Sequence, residues 1–189
     1  MKACRAVTAT VLAWLAAGSA HASDPYARYD DHGTAGLTQV TGTSYVNNNY
    51  GYAITLPVGQ AAWMDKPPSP NHGARIFLGP QRSIEVDASF DSALLGSTGA
   101  VAEDAAGTEG GHQAGKSPDE LGHQTAERVS VVGPGDRRRI VVARWADQGS
   151  QGDPINYTVS LETTDAAFKQ DKHIFDGIVS SFHYVPRQP

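Results

Sequence analysis

The chain contains one cysteine, Cys4, and it lies within an N-terminal stretch that reads as a cleavable export signal. Cleavage would leave a protein with no thiol, which excludes a disulfide framework and a thiolate metal site even in an oxidising compartment. Long apolar runs are also lacking. The run at residues 6–17 follows Lys2 and Arg5 and precedes Ala20-His21-Ala22, whose small residues suit a signal peptidase. That run is well short of the ~20 apolar residues needed to cross a bilayer, so it predicts a secretory signal over residues 1–22 and no membrane span. Cys4 precedes the apolar run rather than following it, so no lipid attachment is expected. Basic residues are few. Beyond residue 22, 13 Lys and Arg face 20 Asp and Glu, a formal charge of −7, which argues against a nucleic-acid or anionic-membrane binder. Arg137-Arg138-Arg139 is the one basic run, and it opens an apolar strand, where a solvated turn edge is expected.

What remains is enough for one domain held by an apolar core, since a chain of about 150 residues buries roughly 70% of its unfolded surface. Residues 23–36 are polar and aperiodic and are expected to form a mobile arm, with residues 37–189 as a single α+β domain. A first strand is expected around 39–45. Tyr50, Tyr52, Ile54 and Leu56 alternate up to Pro57, the period of a strand with one buried face. The Pro-rich stretch 65–73 reads as a loop, and strands are expected at 75–78 and 83–90 around the turn Gly79-Pro80-Gln81-Arg82. Residues 96–116 are rich in Gly, Ala and acid and are expected to be a mobile insertion. Ser117-Pro118-Asp119-Glu120 has the form of a capping box and predicts a short helix over 118–128. Strands at 129–132 and 139–145 flank the turn Gly133-Pro134-Gly135-Asp136, and Ile155, Tyr157, Val159 and Leu161 alternate in a third. Residues 165–182 then carry Phe168, Asp171, Ile174, Phe175, Ile178, Val179 and Phe182 at helical spacing, with Thr163, Thr164 or Asp165 available as a cap. The expectation is an antiparallel meander with this amphipathic C-terminal helix packed on the sheet.

Three segments carry a resemblance. They are Tyr50-Gly51-Tyr52-Ala53-Ile54-Thr55-Leu56-Pro57 with Trp63 beyond, Tyr157-Thr158-Val159, and Phe175-Asp176-Gly177-Ile178-Val179-Ser180-Ser181-Phe182. With the element order over residues 45–184, they resemble the PsbP-like α/β sandwich group. That group includes the photosystem extrinsic protein PsbP, a Ran-GTPase-binding protein and exported bacterial proteins. The resemblance implies a fold and a tendency to bind protein partners; it implies no catalytic set.

Catalytic signatures are sparse. No phosphate-binding loop precedes a helix, Glu109 sits inside the Gly-rich stretch, and there is no Gly-x-Ser-x-Gly elbow. Glu120 and His123, three apart on the expected helix, with Asp119 beside them, form a candidate carboxylate–imidazole metal site, as could serve a metal-dependent or hydrolytic enzyme. Trp63, near the Pro-rich loop, and Tyr26 and Tyr29 in the arm are candidate partner anchors, because interface hot spots favour Trp and Tyr. The reading that best fits is an exported, periplasmic or secreted, non-enzymatic binding or assembly factor of the envelope. It would need no cofactor and would bind a protein partner, which a toxin to be capped would exemplify.

Overall fold

A computed structural model describes residues 37–65, 72–107, 110–149 and 152–188. The expected signal (1–22), the arm (23–36) and Tyr26 and Tyr29 lie outside the described residues. The chain runs β1 (Leu37–Gln39), β2 (Ser44–Asn47), β3 (Tyr52–Thr55), β4 (Ala62–Asp65), β5 (Gly73–Gly79), β6 (Arg82–Phe90) and α1 (Thr98–Ala106). It continues through β7 (His112–Leu121), β8 (Gln124–Val132), β9 (Arg137–Ala146), β10 (Ile155–Thr164), α2 (Phe168–Ser181) and β11 (His183–Tyr184). Eight strands form an antiparallel sheet in the order β1-β4-β5-β6-β10-β9-β8-β7, and β11-β3-β2 form a second, small sheet. The expected α+β fold with a predominantly antiparallel sheet is what the chain adopts.

The alternating side chains determine which face is filled. Ile84, Val86 and Ala88 of β6, Ile140 and Val142 of β9, and Tyr157, Val159 and Leu161 of β10 point to one side. There they meet Tyr52 and Ile54 of the small sheet and Phe175 and Ile178 of α2 in the main core. The opposite face of β8 and β9 presents Val129, Val131, Val141 and Ala143, and α1 covers them with Val101, Ala102 and Ala106. The meander β8-β9-β10 and the Gly133–Asp136 turn match the sequence pattern, with Gly133 N donating to Arg137 O at 3.0 Å.

Four expectations are corrected. Residues 118–128 are no helix: Asp119 and Glu120 lie on β7, and Gly122 and His123, both at φ 60°, make a two-residue hairpin turn flanked by the pair Leu121 and Gln124. Positive φ at both central residues suits the right-handed twist of a hairpin, and Pro118 is tolerated because β7 is a sheet edge. Residues 96–116 are not simply an insertion at the periphery. Ser97 caps α1 by accepting from Ala100 N at 3.2 Å, the helix buries small residues at helical spacing, and residues 112–116 belong to β7. The first strand is two, split at Gly42 (φ 101°), so that β1 joins the large sheet and β2 the small one. Finally, α2 starts after Ala167 without a side-chain cap. Thr163 instead donates its hydroxyl to the buried Asp171, whose Oδ2 also lies 3.4 Å from Arg82 Nε, while Asp165 pairs with Arg138. The polar interruption in the apolar stripe of α2 thus ties the helix to the β5–β6 turn.

The loop that leads into α1 is pinned by one carboxylate. Asp91 accepts from Leu95 N and Gly96 N at 3.0 Å, from Trp145 Nε1 at 2.8 Å and from Asn156 Nδ2 at 3.2 Å. Burial raises its pKa, but these four donors outweigh burial and hold the carboxyl below the usual carboxylate value.

Two predictions follow from this packing. Phe175→Ala, which empties a fully buried site on α2, is expected to cost about 3–5 kcal/mol in denaturant unfolding. Because the folded-state pKa of Asp91 is depressed, its contribution is complete above the unfolded value of about 3.9 and is lost as pH falls through the folded one. Asp91→Asn should therefore melt below the wild type at pH 7, and the gap should narrow steadily in melts taken below about pH 4.

Candidate binding site

The structure brings Asp119, Glu120 and His123 to one hollow of 510 Å³, which Arg128, Lys172 and Asp176 also line. The arrangement differs from the one the helix would have given. On a strand, Asp119 and Glu120 point to opposite faces. Asp119 is engaged, with Oδ2 accepting from Arg128 Nε at 2.6 Å and Oδ1 from Glu120 N at 2.7 Å. Arg128 reaches on to Asp176 at 3.0 Å, and Asp176 to Lys172 at 2.6 Å. The hollow is thus crossed by a chain of alternating charges that joins the β7–β8 hairpin to α2. Among the described residues, no group of three His, Cys, Asp or Glu is placed to hold a metal ion.

Trp63 is half-buried on β4, opposite Arg75 of β5. It faces away from the main core, beside the Arg75–Glu85 ion pair at 2.6 Å. The expected partner anchor therefore sits on the outer face of the large sheet.

A second hollow escaped the sequence reading. It measures 400 Å³ and is walled by Tyr50, Tyr157 and Tyr184 and by Arg144 and Arg187. Pairing of β9 with β10 sets Arg144 directly across from Tyr157. Tyr184, on β11, packs edge-on against Tyr157 with centroids 5.3 Å apart, and the Arg144 guanidinium lies 5.3 Å from the Tyr184 ring centroid. Arg187 follows in the C-terminal segment, which is seated by backbone hydrogen bonds. Val185 N donates to Gly51 O and Gln188 N to Asn48 O, both at 3.0 Å.

Two glycines make room for that segment. A Cβ on Gly51 (φ 72°) would stand 2.7 Å from Val185 O, and one on Gly122 (φ 60°) would stand 2.7 Å from the Tyr184 ring. The hairpin turn that replaced the expected helix therefore also supports one wall of this hollow.

The hollow is rich in donors. Tyr157 gives its proton to Tyr50 O at 2.8 Å. Burial, with the neighbouring Tyr184, pushes its pKa up to about 12 against the opposing pull of Arg187 and Arg144, so it stays a neutral donor. Arg144 Nη1 donates to the Tyr184 oxygen at 3.3 Å, and Arg187 Nε donates to Asn49 O at 3.2 Å. Among the described residues, Arg144 and Arg187 are the arginines without a carboxylate partner; the other six each form an ion pair. Both line the hollow beside Tyr157, and both oppose the rise in its pKa.

Gly122→Ala tests this construction. It places a side chain at positive φ and against Tyr184, so it should cost more than about 1 kcal/mol and shift the Tyr184 ring resonances while leaving those of Trp63 unchanged.

No family model and no curated protein matches the chain. Solved structures do. Cyanobacterial PsbP from Synechocystis sp. PCC 6803 superposes with a TM-score of 0.52 at 17% identity, covering 82% of this chain and 96% of that one. LpqN of Mycobacterium tuberculosis, described as involved in cell envelope biogenesis, superposes with a TM-score of 0.52 at 14% identity, covering 85% and 95%. At these identities the likeness concerns architecture, and it agrees with the resemblance carried by the Tyr50–Pro57 and Phe175–Phe182 segments: the chain has a PsbP-like α+β fold.

Proposed function

We propose that this is an exported, non-catalytic binding protein of the cell envelope, with a mature chain beginning at Ser23, which holds a protein partner in the tyrosine–arginine hollow. The observation that carries this is the pair Arg144 and Arg187, left without carboxylates in an acidic chain whose other described arginines are all engaged. Tyr and Arg are the residue types that dominate interface energetics, and here three tyrosines and two arginines share one concave surface. The envelope setting is supported by the secretory pattern of residues 1–22 and by the description of LpqN. A partner seated here would supply the missing negative charge, and capping a toxic effector is one form such binding could take. Trp63, on the other face of the large sheet, is a separate candidate contact.

The test is co-purification of a partner with the tagged, exported protein from envelope extract, with intact mass fixing the N-terminus at Ser23. The Arg144→Gln/Arg187→Gln double variant should lose at least about tenfold of the captured partner, the usual scale for removing hot-spot contacts. Trp63→Ala should retain the partner. Equal capture by the double variant, or capture lost only with Trp63→Ala, would move the interface away from the hollow.

A further inference from the structure

We infer that the hollow between β9, β10 and the C-terminal segment recognises a single carboxylate presented by a peptide chain; this rests on the binding role proposed above and names its chemistry. A guanidinium carries five N–H donors and a tyrosine hydroxyl one. The Tyr184 oxygen accepts from Arg144, and its own proton has no acceptor among the described residues. Arg144 spends one contact on that oxygen, and Arg187 uses Nε on Asn49 O. Both arginines line the hollow together with Tyr157, and neither has a carboxylate partner among the described residues. Two planar forks and a hydroxyl suit a two-oxygen acceptor, which a carboxylate is.

The surroundings choose between oxyanions. Asp147 lines the rim, with its Oδ1 taken by Gly149 N at 2.7 Å, and Asp87 acts electrostatically on Tyr50. These negative neighbours, within a chain of net charge −5, disfavour a phosphate group carrying nearly two charges more than a carboxylate carrying one. The tyrosine rings provide flat walls for the flanking peptide, and the Arg144 guanidinium is already held over one of them.

The experiment is an NMR titration of the mature protein with a short peptide containing one glutamate, with its glutamine isostere, and with inorganic phosphate, following Tyr157 and Tyr184. The glutamate peptide should shift both rings. The isostere should bind at least tenfold more weakly, and phosphate should not displace the peptide at equal concentration. Arg144→Gln should weaken the peptide at least tenfold, and Arg144→Lys, which keeps the charge without the fork, by an intermediate factor, with melting temperatures confirming that both variants fold. Equal binding of the isostere, no effect of Arg144→Gln, or displacement by phosphate would each overturn the inference. If the glutamate peptide fails while the double variant still loses its captured partner, the carboxylate assignment falls and the interface stands. If the peptide binds but no partner is captured, the interface falls instead.

Discussion

The stacking of Phe182 on Tyr52, with centroids 5.1 Å apart and planes inclined by 11°, is the contact on which the remaining arrangement depends. Tyr52 belongs to the small sheet, and Phe182 is the residue at which α2 ends. Tyr157 of the large sheet meets both rings edge-on, at 6.1 Å in each case. Three elements distant in sequence are thus fixed to one another by offset and edge-to-face ring contacts, which add to the stabilisation from burial itself. The backbone leaving Phe182 starts from a fixed point, and so β11, Tyr184 and Arg187 arrive over Gly51 and Gly122 in one register.

Much of this was legible in the chain. The alternation at Tyr50, Tyr52, Ile54 and Leu56 and the helical stripe through Phe175 and Phe182 announce the two sides of the aromatic contact, because large side chains mark period two and period 3.6 clearly. The elements that went unread have physical reasons. In α1 the buried face consists of Val101, Ala102 and Ala106, and alanines leave little apolar periodicity to detect. The β7–β8 hairpin was hidden by a capping box at Ser117–Glu120, whereas its true signal was Gly122 followed by a residue able to take positive φ. The hollow could not be read at all, because Arg144 and Tyr157 become neighbours only through the β9–β10 register. Arg187 lies beyond the last periodic element.

Charge is distributed with the same economy as the core. Asp171, buried in the stripe of α2, faces Arg82 and Thr163, and Lys116 reaches Glu103 of α1 at 2.7 Å and Glu127 of β8 at 3.1 Å. The more exposed Lys116 pairs contribute about 0–1 kcal/mol each, so their weight lies in orientation more than in stability. Asp171, by contrast, is fully buried and depends on Arg82 and Thr163 to offset its lost hydration. These contacts set the rotation of α2 and the seat of α1, and they leave Arg144 and Arg187 as the described arginines without a carboxylate partner.

Strand β7 closes one edge of the large sheet, with its side chains mostly in solvent over a length of ten residues. A bare edge of that length would be a template for strands of other chains. This one is blunted three ways: the register slips between Gln113 and Gly115, Lys116 sits mid-strand, and Pro118 has no amide proton to offer. At the opposite edge, β1 is only three residues long. A chain with a single cysteine has no internal disulfide to hold it, and these edges guard it against ladder-like self-association and fibril growth. Such edges also turn away partners that would add a strand, leaving recognition to side chains.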